Sequence, residues 1–322
     1  MKVGFIGCGG RADSHMEALK ALSMADMAAF ADIVEERAEL CAQRYGGRAY
    51  GGYHEMLKKE SLDACYICLP PFAHTDQELL CAEGGIPFFI EKPVALTLEK
   101  AREVERAVDR AGLITLVGYQ LRFIDALVEM RKVLLEEGGR IGLCEAVRLG
   151  GVAGGPDHWW RKRELSGGQL VEQSTHQVDL TRWFVGDVGE VYARLETLLS
   201  QDLPNYTIED ISVVTLKFEN GALGVITSTT AAQPKGSYSR FTVVAKNLEV
   251  MAFSGYRIVK GQEVREYEPK VDSTLEINRH FLQCVEKGQQ TRIPYSEGLK
   301  DIEVTLAAVK SSETGRTVKL PL

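Results

Sequence analysis

No stretch of this 322-residue chain approaches the ~18 consecutive apolar residues that a membrane-crossing helix needs. Basic charge is not in excess either: 38 Lys and Arg stand against 45 Asp and Glu, a formal charge of −7 with pI near 5.6. A phosphate-backbone binder would carry a basic stripe; none is found, which argues against a nucleic-acid partner. Internal repeats, low-complexity tracts and flexible linkers are lacking as well. Cysteine is sparse, and its odd count of seven, scattered through apolar segments, fits reduced thiols and not a disulfide framework. Met1-Lys2 leads straight into a short apolar run, an opening that leaves no room for a secretory leader, so a cytoplasmic protein is expected. What remains is an ordinary globular composition, 45% hydrophobic and 26% charged, at a length that accommodates two domains.

From Met1 to about Val117, short apolar runs alternate with helical patterns. "KVGFI", "MAAFA", "ACYICL", "FFI" and "ITLV" read as buried parallel strands, and "RADSHMEALKAL", "VEERAELCAQRY", "HTDQELLCAEG" and "TLEKAREVERAVDRAG" as helices. This alternation predicts βαβ units in a doubly wound α/β sheet, whose ligands bind at the carboxyl ends of the strands. Cys65 and Cys68 form a C-x-x-C within one of these strands. On a strand, i and i+3 point to opposite faces, so core packing is expected instead of a redox or metal site.

The first strand-to-helix turn reads Gly7-Cys8-Gly9-Gly10-Arg11-Ala12, a G-x-G-x-x-A. Glycines permit the tight turn and the approach to a pyrophosphate; Ala12 lets helix and strand pack closely, with the helix N-terminus facing the phosphates. Asp32 ends the second strand, where a carboxylate holds both ribose hydroxyls and repels a 2′-phosphate, so NAD is expected over NADP. A helix N-cap before "IVEERAEL" is the structural alternative for Asp32. Pro70 and His74 follow a later strand end, and Glu91-Lys92-Pro93 follows the "FFI" strand. Beside the expected nicotinamide, Lys92 is a candidate acid/base, because a positive ring disfavours a second positive charge next to it. A plain Glu91–Lys92 loop ion pair is the bland alternative.

After "GYQLRF" the pattern changes. Helix "DALVEMRKVLLEEG" precedes strand "IGLCEAVRLG" and a glycine-rich stretch, and the alternating runs "ISVVTLKFE", "ALGVITSTT", "RFTVVAK" and "LEVMAF" predict an antiparallel sheet with a turn at Glu219-Asn220-Gly221. Two helices, from about Leu275 and Ser296, are expected to return toward the first domain. The expected domains are 1–120 and 121–322. Within "SGGQLVEQSTHQVDLTRW", a single helix drawn from Glu172 places Glu172, His176, Asp179 and Trp183 on one stripe. Ser174, Gln177 and Thr181 then form a second polar face. A row of ionisable groups flanked by apolar residues suits a polar pocket. An i, i+3 His–Asp pair that merely stabilises the helix is the alternative. A histidine with two carboxylates resembles a metal site, but no third cluster is evident and no metal is assigned.

G-x-G-x-x-A with Asp32, then "PPFAH", "EKPVAL", "GYQLRF" and "GGQLVEQSTHQVDL", occur in an order that resembles the glucose–fructose oxidoreductase / inositol dehydrogenase / rhizopine catabolism (Gfo/Idh/MocA) family over essentially the whole chain. The resemblance implies an N-terminal Rossmann domain and a C-terminal α+β domain on an open, mostly antiparallel sheet. It also implies an NAD(P)-dependent oxidoreductase acting on a secondary alcohol of a sugar, sugar derivative or cyclitol. In that frame Gly7, Gly9, Gly10, Arg11, Ala12, Asp32, Leu69, Pro70, His74, Glu91, Lys92 and Gln120 are the expected cofactor-binding residues. Lys92, His176 and Glu172 are the expected catalytic set. Tyr119, Arg122, Trp160, Arg161, Glu172, His176 and Asp179 are expected at the substrate, with Trp159 beside them.

The family's D-x-G-x-H-x-x-D appears here as E-Q-S-T-H-Q-V-D. Glu172 replaces an aspartate and Ser174 a glycine, so inositol-type specificity does not carry over. His15, His54 and His280 lie in amphipathic helices and receive no role. Two rival readings are a glycosidase or lyase that oxidises transiently with tightly held NAD, and a non-catalytic module that binds NADH or a sugar. An open sheet needs covering, so a homodimer or homotetramer is expected.

Overall fold

The structure, a computed structural model, describes every residue except Ala153 and Ser254. The chain forms two compact units. Met1–Gln120 joins Val271–Leu299 in the first, and Leu121–Lys270 joins Lys300–Leu322 in the second.

The first unit is built on β1 (Lys2–Ile6), β2 (Asp26–Ala31), β3 (Arg48–Tyr50), β4 (Ala64–Ile67), β5 (Phe88–Ile90) and β6 (Thr115–Val117). All pair parallel, in the order β3-β2-β1-β4-β5-β6. The order reverses between β1 and β4, where this architecture places its ligand crevice. Helices α1 (Gly10–Leu22), α2 (Glu35–Tyr45), α3 (Tyr53–Lys59), α4 (Gln77–Glu83) and α5 (Leu98–Ala111) make the crossovers. Central strands such as "ACYI" are buried throughout because helices cover both faces of a parallel sheet.

One aromatic row crosses four strands in register. Phe30, Phe5, Tyr66 and Phe89 are cross-strand partners, with ring centroids 5.9, 4.8 and 5.1 Å apart. Each ring is fully buried and contributes about 2–3 kcal/mol by removal from water. Strand β3 and helix α3 escape the sequence reading. A three-residue edge strand with two exposed positions has too little apolar pattern to register.

The second unit begins with α6 (Asp125–Glu137) and β7 (Ile141–Leu149). It then forms the short helices α7 (Arg163–Ser166) and α8 (Gln169–Glu172), followed by α9 (Thr175–Val185). Strands β8 (Val188–Glu196), β9 (Ile211–Phe218), β10 (Leu223–Thr229), β11 (Tyr238–Ala245), β12 (Glu249–Ala252), β13 (Tyr256–Lys260) and β14 (Glu263–Tyr267) follow, and β15 (Val318–Lys319) closes the chain. They form one nine-stranded sheet in the order β14-β13-β12-β11-β7-β10-β9-β8-β15. Among the described residues only the β7–β10 pairing is parallel. The expected α/β fold, a parallel sheet in one unit and a mostly antiparallel one in the other, is what the chain adopts.

Strand β9 shows why one sheet face is core. Ser212, Val214, Leu216 and Phe218 are buried, whereas Val213, Thr215 and Lys217 between them are exposed. The expected β9–β10 turn is present: Gly221 has φ +87°, and Asn220 Oδ1 accepts from Ala222 N–H at 3.0 Å. Helices α10 (Ser273–Lys287) and α11 (Tyr295–Thr314) end the helical complement among the described residues, with α10 lying in the first unit. No helix among the described residues is long and apolar enough to cross a membrane.

Candidate active site

In the first unit the glycine turn closes tightly. Gly7 has φ +88°, and a Cβ there would lie 2.5 Å from the Cys68 carbonyl oxygen, so only glycine fits. A Cβ on Gly9 or Gly10 would meet nothing within 4 Å, which leaves the backbone approachable from outside. Helix α1 starts here, with Asp13 N–H donating to Gly9 O at 3.0 Å. The N–H groups of Gly10, Arg11 and Ala12 therefore precede the first helical bond. Ala12 is fully buried against the sheet.

Asp32, just past β2, accepts Cys8 N–H at 2.8 Å on Oδ2 and Val34 N–H at 2.8 Å on Oδ1. The carboxylate is thus pinned beside the glycine turn. It closes a local turn two residues long and does not cap α2, which starts at Glu35 behind Val34 without a side-chain cap. Ile33 next to it is 92% exposed. Burial pushes the neighbouring Cys8 thiol up, and Cys41 and Asp32 add to the shift, which disfavours its thiolate. Cys65 and Cys68 are buried free thiols in the core, as expected.

Leu69 and Pro70 follow β4, with Leu69 packed close to Gly7. His74 Nδ1 lies 2.5 Å from Glu78 Oε1, both side chains almost wholly buried, so this nitrogen is engaged inside the unit. Glu91 follows β5 directly and is 5% exposed. Burial alone would push its carboxyl up. The His15 hydrogen bond and the Arg11 charge, then His15 and Lys92, outweigh that and bring it down to about 2. Gly118 must lack a side chain because a Cβ there would lie 2.8 Å from Glu91 Oε1. Lys92 is half-buried and Tyr119 buried. Gln120 Oε1 is buried and has no hydrogen-bond donor among the described residues.

In the second unit the structure corrects the single-helix drawing of Glu172 to Trp183. The helix is broken: Glu172 is the last residue of α8, and α9 begins at Thr175. Ser174 N–H reaches back five residues to Gln169 O at 3.0 Å, widening the turn, and Gln169 Nε2 donates to Ser174 Oγ at 3.0 Å. Gln169 Oε1 in turn accepts from Ser228 Oγ at 2.9 Å, and Ser228 bonds Ser212. The second polar face is therefore buried against the sheet, with Ser174 and Thr181 0% exposed.

Glu172 accepts from the Gln173 amide, whose Oε1 accepts from Arg148 Nη2 at 3.1 Å. Asp179 meets Arg122, Oδ1 to Nη2 at 2.7 Å, so these two expected substrate ligands pair with each other. Trp159–Arg161 is a 3-10 turn fastened by Thr207, whose N–H donates to Arg161 O at 2.9 Å. Trp160 is 4% exposed, and its indole N–H has no acceptor among the described residues. Arg161 Nη2 donates to Gly154 O at 2.7 Å.

Sequence reasoning missed Glu209, 1% exposed, which accepts Leu170 N–H at 2.7 Å at the start of α8 and Arg163 Nη2 at 2.8 Å. It also missed Arg148, His15 and Asn278. None carries a local signal, because each finds its partner far along the chain. Among the described residues no group of three or more His, Cys, Asp or Glu is placed to hold a metal ion.

Residues 1–119 match the model of an oxidoreductase family with an NAD-binding Rossmann fold, and residues 130–248 match the Gfo/Idh/MocA C-terminal domain. The chain belongs to the Gfo/Idh/MocA oxidoreductase family. Its similarity to relatives in that family spans the whole length. It is 27% identical to a myo-inositol 2-dehydrogenase of Thermotoga maritima, over 99% of this chain and 98% of the relative. It is 24% identical to a D-xylose 1-dehydrogenase (NADP(+)) of Haloferax volcanii, over 99% of this chain and all of the relative. A levoglucosan dehydrogenase solved with NADH shares the fold, with a TM-score of 0.92 at 20% identity, covering 100% of this Gfo/Idh/MocA chain and 99% of the other.

Proposed function

We propose that this chain is an NAD-dependent dehydrogenase that moves a hydride between nicotinamide and a secondary alcohol of a sugar, sugar derivative or cyclitol. The observation that carries the reading is the Asp32 carboxylate, held beside the glycine turn by the Cys8 N–H at 2.8 Å. There its remaining lone pairs accept two ribose hydroxyls, and its charge disfavours a 2′-phosphate. Open backbone at Gly9 and Gly10, with the N-terminus of α1 behind it, suits a pyrophosphate. Exposed Ile33 offers an apolar surface to a base. Gln120 Oε1, buried without a donor, suits an amide N–H such as a carboxamide supplies.

When bound, NAD supplies the acceptor or donor of the hydride. Lys92 and His176 are the two groups that take or return the hydroxyl proton, as a coupled set. Glu172 orients them or binds a neighbouring hydroxyl, and the Tyr119, Trp160 and Arg161 side chains contact substrate. Arg122 and Asp179, an ion pair at 2.7 Å, contact substrate as that pair. The sugar and polyol names of the relatives support this substrate class.

The test is calorimetric titration of nucleotide-free protein with NADH and with NADPH, followed by a polyol screen. Preference for NADH and net NADH production from a polyol are the expected results. Tighter NADPH binding would reduce Asp32 to a turn residue. Binding without net NADH release, but with cleavage of a glycoside, would make the enzyme a hydrolase or lyase, and no binding would leave a non-catalytic module. In addition, Lys92→Ala is expected to lower turnover by about two orders of magnitude or more while NADH affinity stays nearly intact. Near-normal turnover would remove Lys92 from the mechanism.

A further inference from the structure

Glu91 immediately precedes Lys92, and its buried carboxylate needs partners. They come from α1 and from the backbone just after β5. Arg11, at the start of α1, donates Nε to Oε1 at 2.6 Å. His15, one turn further on, places Nε2 at 2.9 Å from the same oxygen. The backbone N–H of Lys92 donates to Oε2 at 3.3 Å.

An ionised carboxylate only accepts, so His15 Nε2 donates to Glu91. Nδ1 faces the Asn278 amide of α10, with Nδ2 at 2.9 Å and Oδ1 at 3.2 Å, and the same amide nitrogen donates to Thr274 O at 2.7 Å. The bond to Thr274 O sets the orientation of the amide. The imidazole is 0% exposed and lies 4.6 Å from the Phe89 ring and 5.8 Å from Tyr66. Phe281 of α10 meets both rings edge-on, at 5.5 Å from Tyr66 and 5.9 Å from Phe89. His15 therefore has one place to be, fixed by the sheet beneath it and by α10.

His15 and Asn278 are fully buried. Neither can touch substrate or cofactor, yet the carboxylate they hold is shared by the glycine-turn arginine and the backbone N–H of Lys92. We propose that His15 and Asn278 are positioning residues: through Glu91 they set the placement of Arg11 at the dinucleotide turn and of Lys92 at the end of β5. The inference rests on the reading of Lys92 as the acid/base of a dehydrogenase. Misplacing a reacting group by about 1 Å costs on the order of 100-fold in rate, so a small loosening of Glu91 is readable in turnover.

The test uses full-length protein with Asn278→Leu, His15→Leu and His15→Gln, the last keeping an N–H able to reach Glu91. NADH stoichiometry is titrated so that kcat is expressed per bound NADH. Both leucine variants are expected to lose about tenfold or more in kcat, with KM for the alcohol within about twofold of wild type, while His15→Gln recovers most of the loss. A merely structural role would lower the melting temperature and the fraction able to bind NADH, leave kcat per bound NADH unchanged, and give His15→Gln no advantage. That result overturns the proposal.

A second readout needs no turnover. In protein labelled with 15N at its six histidines, the resonance missing from His15→Gln is expected to show the Nε2-protonated pattern. It is expected to shift in Asn278→Leu and on addition of NADH. If wild type binds NADH but oxidises no polyol, the dehydrogenase reading fails while this spectrum still decides the coupling. A His15 resonance that moves with neither NADH nor Asn278→Leu overturns it.

Discussion

Arg122 and Asp179 show how far a single residue's role depends on what surrounds it. With 6% and 0% of their side chains exposed, they join at 2.7 Å and continue into Arg182–Asp301 at 2.7 Å and Arg182–Asp187 at 2.9 Å. Burial pushes the Asp179 carboxyl up; Arg122 pulls it back, Asp301 raises it further, and Arg182 again lowers it. Removing one member strands a buried charge. Asp179→Asn and Arg122→Met are each expected to destabilise the protein by about 3–5 kcal/mol, whereas Arg122→Met with Asp179→Leu should cost clearly less than the sum. Urea denaturation of the four proteins measures the coupling, and strictly additive costs would disprove the pair. Both residues were marked by the sequence, but as substrate ligands. That they pair depends on folding, because spacing along the chain says nothing about which guanidinium a buried carboxylate meets.

At the scale of elements, helix α5 was readable almost to the residue. Thr97 caps it by accepting from Lys100 N–H at 3.3 Å, Gly112 ends it with φ +59°, and the apolar stripe of Ala101, Val104 and Val108 is buried. Its one irregularity is Glu105, whose Oε2 is buried without a partner among the described residues. Burial, with help from Asp109 one turn on, pushes this carboxyl up to about 7 from 4.5. The folded state thus keeps a proton that the unfolded chain releases between about pH 4.5 and 7. Stability falls as pH rises through that window, and the penalty is complete above it. Glu105→Gln is expected to stabilise the protein at pH 8 by roughly 1 kcal/mol, discounted for the partial exposure of the group, and to do almost nothing at pH 4. Equal gains at both pH values would show that the charge is not the cause. The α8–α9 break was not readable in the same way. Nothing local stops a helix at Gln173-Ser174; the Gln169–Ser174–Ser228 hydrogen bonds do, and Ser228 belongs to β10.

For the whole molecule, the sheet of the second unit keeps one face uncovered. Leu143 is 39%, Tyr192 37%, Val213 43% and Leu223 56% exposed, on neighbouring strands and the same side. An apolar sheet face of this kind is expected to be covered by a second copy, giving a homodimer or homotetramer. Light scattering at micromolar concentration should report two or four chains, and Val213→Glu should shift the mass toward one. A monomeric wild type would leave the face unexplained.

The alternation of apolar runs and helical stripes, the glycine turn with Asp32, and the Lys92 strand end are set by neighbours within about twenty residues, so the sequence by itself determined the parallel-sheet unit and the nucleotide crevice. The break before His176, the Arg122–Asp179 pair and the His15–Asn278 support of Glu91 were decided only by the tertiary structure. In each case a buried polar group must find its partner where the fold delivers one, and that partner sits on another element.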